Sequence, residues 1–265
     1  CINELDNDKS LISCFGAAVT FKNGNNEMLS TIAYPKLINY SLTHNSQKDR
    51  MIYHMGNYVP STIYSIMRTS IWNDSMKCVG AGNVSDEYQI QGSEELIFEL
   101  VSSYYGKSRF VPVLSWLRSE ENGQLPYEKP LLSFSDWWNN PSNKQLQSKM
   151  LRTISEIIVT SNDGSSIDRV NKIFEESFQA YTSKSKQRKT SIKALFTRIR
   201  KKSFSILPVP VTLKVLIKKN ILRALSMLNK RESIFVIVDK LHKLNIQVDN
   251  KELNNINGIV INFHK

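Results

Sequence analysis

Residues 11–21, LISCFGAAVTF, carry the reading of the fold. Their β-branched, aromatic and small side chains run without polar alternation, the pattern of a strand buried on both faces. The turn signal Lys22-Asn23-Gly24-Asn25-Asn26 follows, and Met28 to Tyr34 is predicted to return as a second strand. On the other side, residues 1–8 (CINELDND) read as a short helical end. Further along, the period becomes helical over residues 46–57, with Arg50, His54 and Asn57 on one face. Thr62 to Met67 is expected as a strand, then a helix holding Trp72 and Met76, then a polar loop from Gly80 to Gly92. Residues 93–101 (SEELIFELV) form an amphipathic helix with Ser93 as its expected N-cap and acids in its first turn. Gly106 ends it, and Arg109 to Leu117 (RFVPVLSWL) resumes an extended pattern, with Pro112 pointing to an edge or kink.

Beyond a loop over residues 120–131, Ser135 is expected to cap a short helix carrying Trp137 and Trp138. Residues 143–182 read as helical, broken at Asn162-Asp163-Gly164. Residues 189–204 and 211–228 are predicted basic amphipathic helices. A helix near 232–244 and another opened by the capping box Asp249-x-x-Glu252 complete the chain. The expected layout is α/β over 1–150 and mostly α-helical over 151–265.

The 265 residues, 41% hydrophobic and 22% charged, exclude wholesale disorder, a collagen-like repeat and a coiled coil. No run of about 18 apolar residues occurs, so no membrane-spanning helix is expected. Cys1, Cys14 and Cys78 are odd in number and widely spaced, which fits reduced cytosolic thiols. No signal-peptide pattern precedes the globular pattern, and the chain opens on Cys1 inside a helical pattern, so it is expected to be processed or, in preference, a fragment lacking an upstream part. Its net charge of +11 is uneven. Residues 1–150 hold 13 basic and 15 acidic residues; residues 151–265 hold 22 and 9. Between Lys184 and Arg231 stand 15 basic residues and no acid, which points to a polyanion or an anionic membrane surface.

Neither G-x-x-x-x-G-K-S/T nor G-x-G-x-x-G is present, so a self-contained nucleotide phosphate loop is not expected. His44, His54, His242 and His264 lack zinc-ligand spacing, and no G-x-S-x-G elbow occurs. Three constellations remain. Glu94, Glu95 and Glu99 mark the acidic helix start, with Glu95 and Glu99 four apart and read as sharing a face opposite much of the Leu96/Ile97/Leu100 stripe. A carboxylate there suits a general base for a hydroxyl proton; the alternative is acids enriched for the helix dipole alone. His54, Asn57, Tyr58, Tyr64 and Arg68 thread polar groups through apolar ones, as carbohydrate recognition needs, or simply form a helix-to-strand connection. Arg118, after Gly106-Lys107 and Trp116-Leu117, is placed to meet a diphosphate or to pair with Glu120 or Glu121.

In order, CINELDNDKSLISCFGAAVTF, DRMIYHMGNYVPSTIYSIMRTSIW and SEELIFELVSSYYGKSRFVPVLSWLRSEEN resemble bacterial family-2-like glycosyltransferases of capsule and lipopolysaccharide assembly. The resemblance covers roughly residues 1–150, most specifically E-L-x-x-E-L, then G-K, then L-R-x-E. It implies an incomplete GT-A (Rossmann-like) domain, a nucleotide-sugar donor, and a glycan or lipid-linked acceptor. It also implies a divalent cation, Mg or Mn, held by an acidic cluster that is not in this chain; Asp6-Asn7-Asp8 stands in the wrong context. Carried onto this sequence, the acceptor-side acid is Glu95, with Glu94 second, while His54 and Arg118 contact diphosphate or acceptor. The fragment alone is then expected to be inactive.

The basic stretch 189–228 sets Ile192, Leu195, Phe196 and Ile199 against Lys193, Arg198, Lys201 and Lys202. Such helices lie on anionic membranes, each cation contributing about 1 kcal/mol. A lipid-linked acceptor would need the enzyme there, at the inner face of the cell membrane. The alternatives are a solvated helical bundle whose charges are simply exposed and a non-catalytic basic module for nucleic acid or a protein partner; no helix-turn-helix, RNP-like strand or zinc finger supports nucleic acid.

Overall fold

The computed structural model describes residues 1–24, 27–84, 89–121, 130–161, 166–204 and 231–263, with the side chains of 161, 186–204 and 263 left aside. The fold is mixed α/β. The chain divides into two compact units: residues 1–18, 34–116 and 123–185, and residues 19–33, 117–122 and 186–265.

In the first unit, α1 (Ile2–Asn7) leads into β1 (Leu11–Asn23). Every residue from Leu11 to Phe21 is buried, as the unbroken apolar run predicts. β3 (Ile66–Met67) pairs antiparallel with β1, Ser13 opposite Met67 and Cys14 opposite Ile66. β5 (Lys107–Ser119) also pairs with β1. Lys107 N–H donates to Ser10 O at 3.1 Å and Gly16 N–H to Ser115 Oγ at 3.0 Å, so the two strands advance in the same direction. A parallel pair requires a long crossover. Here it contains α2 (Gln47–Gly56), α3 (Thr69–Val79) and α4 (Ser93–Tyr105). β4 (Gln89–Gln91) and β6 (Leu131–Ser133) form a small parallel pair that leads into α5 (Phe134–Trp138).

The core lies among the helices. Leu96, Ile97, Leu100 and Val101 of α4 share one buried cluster with Met51 and Met55 of α2, Trp137 and Trp138 of α5, Ile154 and Ile158 of α6 (Lys144–Ser161), and Phe174 and Phe178 of α7 (Ile167–Phe204). Each such side chain contributes about 1.5–3 kcal/mol on burial.

The second unit holds the end of β1, β2 (Met28–Ala33) and β7 (Glu232–Ser233), which pairs antiparallel with β2 through Leu29 opposite Ser233. Gly24 N–H donates to Glu27 O at 2.7 Å across the β1–β2 turn. α8 (Ile234–Lys243) and α9 (Asn250–Phe263) pack on β2. Asp249 Oδ1 accepts from the amides of Lys251 and Glu252, the N-cap half of the expected capping box. Glu120 pairs with Arg231, and Glu232 with Lys240.

Three local expectations are corrected. Only Ile66 and Met67 of the stretch 62–67 form a strand; Thr62 to Ser65 turn, because the amides of Thr62 and Ile63 are taken by a carboxylate. The N-cap of α4 is Gly92, at φ +76°, while Ser93 turns its hydroxyl back to Ile90 O. The short Trp helix is capped by Ser133, whose Oγ accepts from Asp136 N–H, rather than by Ser135. The break at 162–164, the helix over 211–228 and most of the loop 120–131 fall outside the described residues.

Candidate functional site

Helices α2 and α4 pack side by side and bring two ionisable groups together in the core. Spacing places His54 on the same face of α2 as Arg50, and both are buried. Glu99, two turns into α4, is fully buried as well. His54 Nε2 lies 2.9 Å from Glu99 Oε2, and Nδ1 lies 2.7 Å from the Tyr40 hydroxyl. The turn after α2 closes over the same carboxylate: Thr62 N–H and Ile63 N–H donate to Oε1 at 2.8 and 3.0 Å, and Ser61 Oγ donates to Oε2 at 3.3 Å. Both oxygens of Glu99 are therefore occupied, as a buried carboxylate requires.

Burial, reinforced by the charge of Glu99, pushes the Tyr40 hydroxyl well above the usual tyrosine range. It keeps its proton at hydrogen-bond distance from Nδ1, and the other ring nitrogen of His54, Nε2, faces Glu99. Burial also raises Tyr58, with the charges of Glu99 and Glu95 adding to the effect. Its hydroxyl donates to Glu95 Oε1 at 2.5 Å. Glu95 is half-buried in the first turn of α4, where the amide end of the helix favours negative charge. One turn of helix thus separates a closed, fully partnered carboxylate from one that reaches water.

The remaining predicted residues disperse. Glu94 is exposed. Asn57 caps the end of α2, exposed, with Nδ2 donating to Tyr53 O. Tyr64 stacks on Trp116, ring centroids 4.0 Å apart, and on Tyr34 at 5.9 Å. Arg68 donates to the carbonyls of Leu11 and Leu5, tying α1 to β1. Arg118 is exposed and belongs to the second unit. Glu99 does not share an outward face with Glu95; it points into the core, because His54 and the turn at 61–63 meet it there. Tyr40 is absent from the sequence-based site, and Glu99 enters it only as a second acid beside Glu95. The one signal for Glu99 is an acid with apolar neighbours on both sides, Ile97-Phe98 and Leu100-Val101.

Among the described residues no three His, Cys, Asp or Glu side chains gather as metal ligands. Asp8, the nearest approach to an acidic cluster in sequence, accepts from Ser10 and pairs with Arg109, so it does not fit the divalent cation the resemblance implies. Among the described residues no helix is long and apolar enough to cross a membrane. Cys1, Cys14 and Cys78 are free thiols. Comparison with protein families, curated proteins and solved structures yields no match to this chain.

Proposed function

We propose that this chain is the acceptor-side part of a GT-A-like glycosyltransferase, moving a sugar from a nucleotide donor to a glycan or lipid-linked acceptor in bacterial surface-polysaccharide assembly. The observation that supports it is the pairing of Glu95 with Tyr58 at the start of α4. Glu95 is half-buried, carries a hydrogen bond from a tyrosine that keeps its proton, and stands directly ahead of the closed Glu99–His54 pair. In this reading Glu95 takes the proton of the acceptor hydroxyl as that oxygen forms its bond to the anomeric carbon. The bond from that carbon to the diphosphate breaks, and the nucleoside diphosphate leaves. Tyr58 orients Glu95, and the Glu99–His54–Tyr40 set holds the 61–63 turn and both helices in place.

Residues 189–228 are proposed to rest on an anionic membrane at its cytoplasmic side; their side chains lie outside the described residues. The test uses the protein encoded by the complete gene. Nucleoside diphosphate release is followed over a panel of sugar nucleotides with a membrane fraction as acceptor. Glu95→Gln is expected to lower turnover by about 10²–10⁴-fold. Unchanged turnover removes Glu95 from the role, and no release from any donor by the unaltered protein overturns the glycosyltransferase reading.

A further inference from the structure

A cleft of about 630 Å³ opens at the far end of α4 from Glu95. Four stretches of the first unit line it: Lys9 and Ser10 ahead of β1, Asn45 to Lys48 at the start of α2, Tyr105 to Lys107 between α4 and β5, and Arg169 with Ile173 on α7. Ten residues of helix separate Glu95 from Tyr105, about 15 Å at 1.5 Å per residue, so this space is separate from the Glu95 site. Its volume is that of a small-molecule site.

The lining is one-signed. Lys9, Lys48, Arg50, Lys107 and Arg169 contribute to it, and no aspartate or glutamate does. Lys48 pairs with Glu176 at 2.7 Å, and Asp8, next to Lys9, is engaged by Ser10 and Arg109. Among the described residues, Lys9, Lys107 and Arg169 have no ion-pair partner. Arg50, 3% exposed, donates to the carbonyls of Ser103 at 2.6 Å and of Tyr104 and His44 at 2.8 Å, but to no carboxylate. It caps the last turn of α4, and its full charge meets only carbonyl dipoles. Burial accordingly lowers its pKa.

Among the described residues, three cations with no carboxylate at ion-pair distance, Lys107 feeling only the more distant charge of Asp8, and a buried guanidinium on one small space exceed what a single carboxylate neutralises. A phosphate or diphosphate matches them in charge, and lysines and arginines from separate segments suit its oxygens. Ile12, Ile173 and Tyr105 add apolar surface for an attached organic group. We propose that this cleft binds a phosphate-bearing ligand, at a site separate from Glu95.

The test is calorimetric titration of sodium pyrophosphate into the full chain at 0.15 M salt. One saturable site per chain is expected. Lys107→Ala and Arg169→Ala should each raise Kd about tenfold, whereas Arg152→Ala, an exposed arginine paired with Glu156, should leave it unchanged. Competition then identifies the source. Displacement by uridine diphosphate but not by phosphatidic acid vesicles assigns a soluble phosphate, and displacement by the vesicles assigns a lipid headgroup. Absence of saturable binding overturns the proposal. So does an unaltered Kd in a Lys107→Ala/Arg169→Ala chain that melts at the wild-type temperature, which would place the anion elsewhere, the 189–228 stretch included. Lys9→Ala provides an independent variant should the double change impair folding.

Discussion

Glu99 and His54, 45 positions apart in the chain, meet at 2.9 Å with both side chains fully shielded from water. Glu99 also satisfies the amides of Thr62 and Ile63, so removing it leaves several buried groups without partners at once. Each orphaned group costs about 1–3 kcal/mol, and Glu99→Ala is expected to destabilise the protein by more than about 3 kcal/mol. Glu99→Gln keeps an acceptor for the two amides but replaces the charged oxygen opposite His54 with an amide N–H; about 1–2 kcal/mol is expected. Urea unfolding of the two variants measures both, and equal losses would show that charge, not hydrogen bonding, holds the site.

Glu95 should behave in the opposite way. It is half-buried, and Tyr58 can still donate to an amide oxygen, so Glu95→Gln is expected to change stability by less than about 1 kcal/mol. Its effect belongs to turnover. A thermal melt and the donor assay on the same preparation separate the two, and a large loss of stability would make Glu95 a structural residue.

Two glycines mark where β1 meets β5. A Cβ at Gly16 would stand 2.2 Å from Val113 O, a backbone atom that moves only if the strands part. At Gly106 it would stand 2.3 Å from Ile12 Cγ2, a side chain that is itself buried. Gly16→Ala is expected to cost about 3 kcal/mol and Gly106→Ala about 1–2 kcal/mol, the range of overpacked cores. Gly80, with nothing within 4 Å and an ordinary helical φ, is the control, and Gly80→Ala should leave the melting temperature unchanged or slightly raised. Calorimetric melts of the three variants check the order.

Alkaline pH should weaken the fold. Burial raises Tyr40 and Tyr58 above the usual 10.0 and brings Cys78 from 9.0 up to about 12, with Asp74 adding to the effect on the thiol. Unfolded, these groups release their protons near pH 9–10; folded, they hold them, so the unfolded chain gains as pH rises. The thiol's contribution declines above about pH 9 and the tyrosines' above about pH 10, each by about 1.4 kcal/mol per pH unit. Urea unfolding at pH 7, 9 and 10.5 follows the decline, and Tyr40→Phe or Tyr58→Phe should flatten it.

Much of this framework is legible in the residues themselves. The apolar run 11–21 announces a buried strand, and it is buried throughout. Helical spacing places Arg50 with His54 on one face of α2, and the acids ahead of Leu96 mark the start of α4. The caps are less legible: serines stand at 93 and 135, but Gly92 and Ser133 occupy the cap positions, and a shift of one or two residues does not alter an apolar period.

Glu99 shows the deeper limit. Four residues after Glu95, it reads as a second acid on a polar face, because periodicity registers side chains of one helix and not what faces them. Its burial depends on Tyr40, His54 and the Thr62–Ile63 amides, which come from three separate stretches of chain. Desolvating a carboxylate is unfavourable until those donors converge on it, and only the tertiary structure brings them together. The sequence alone determined a buried first strand, an acidic helix start and a strongly basic later stretch, since these follow from local composition and period. The tertiary structure decided which carboxylate is closed off and which meets water, because that choice rests on hydrogen bonds between residues far apart in the chain.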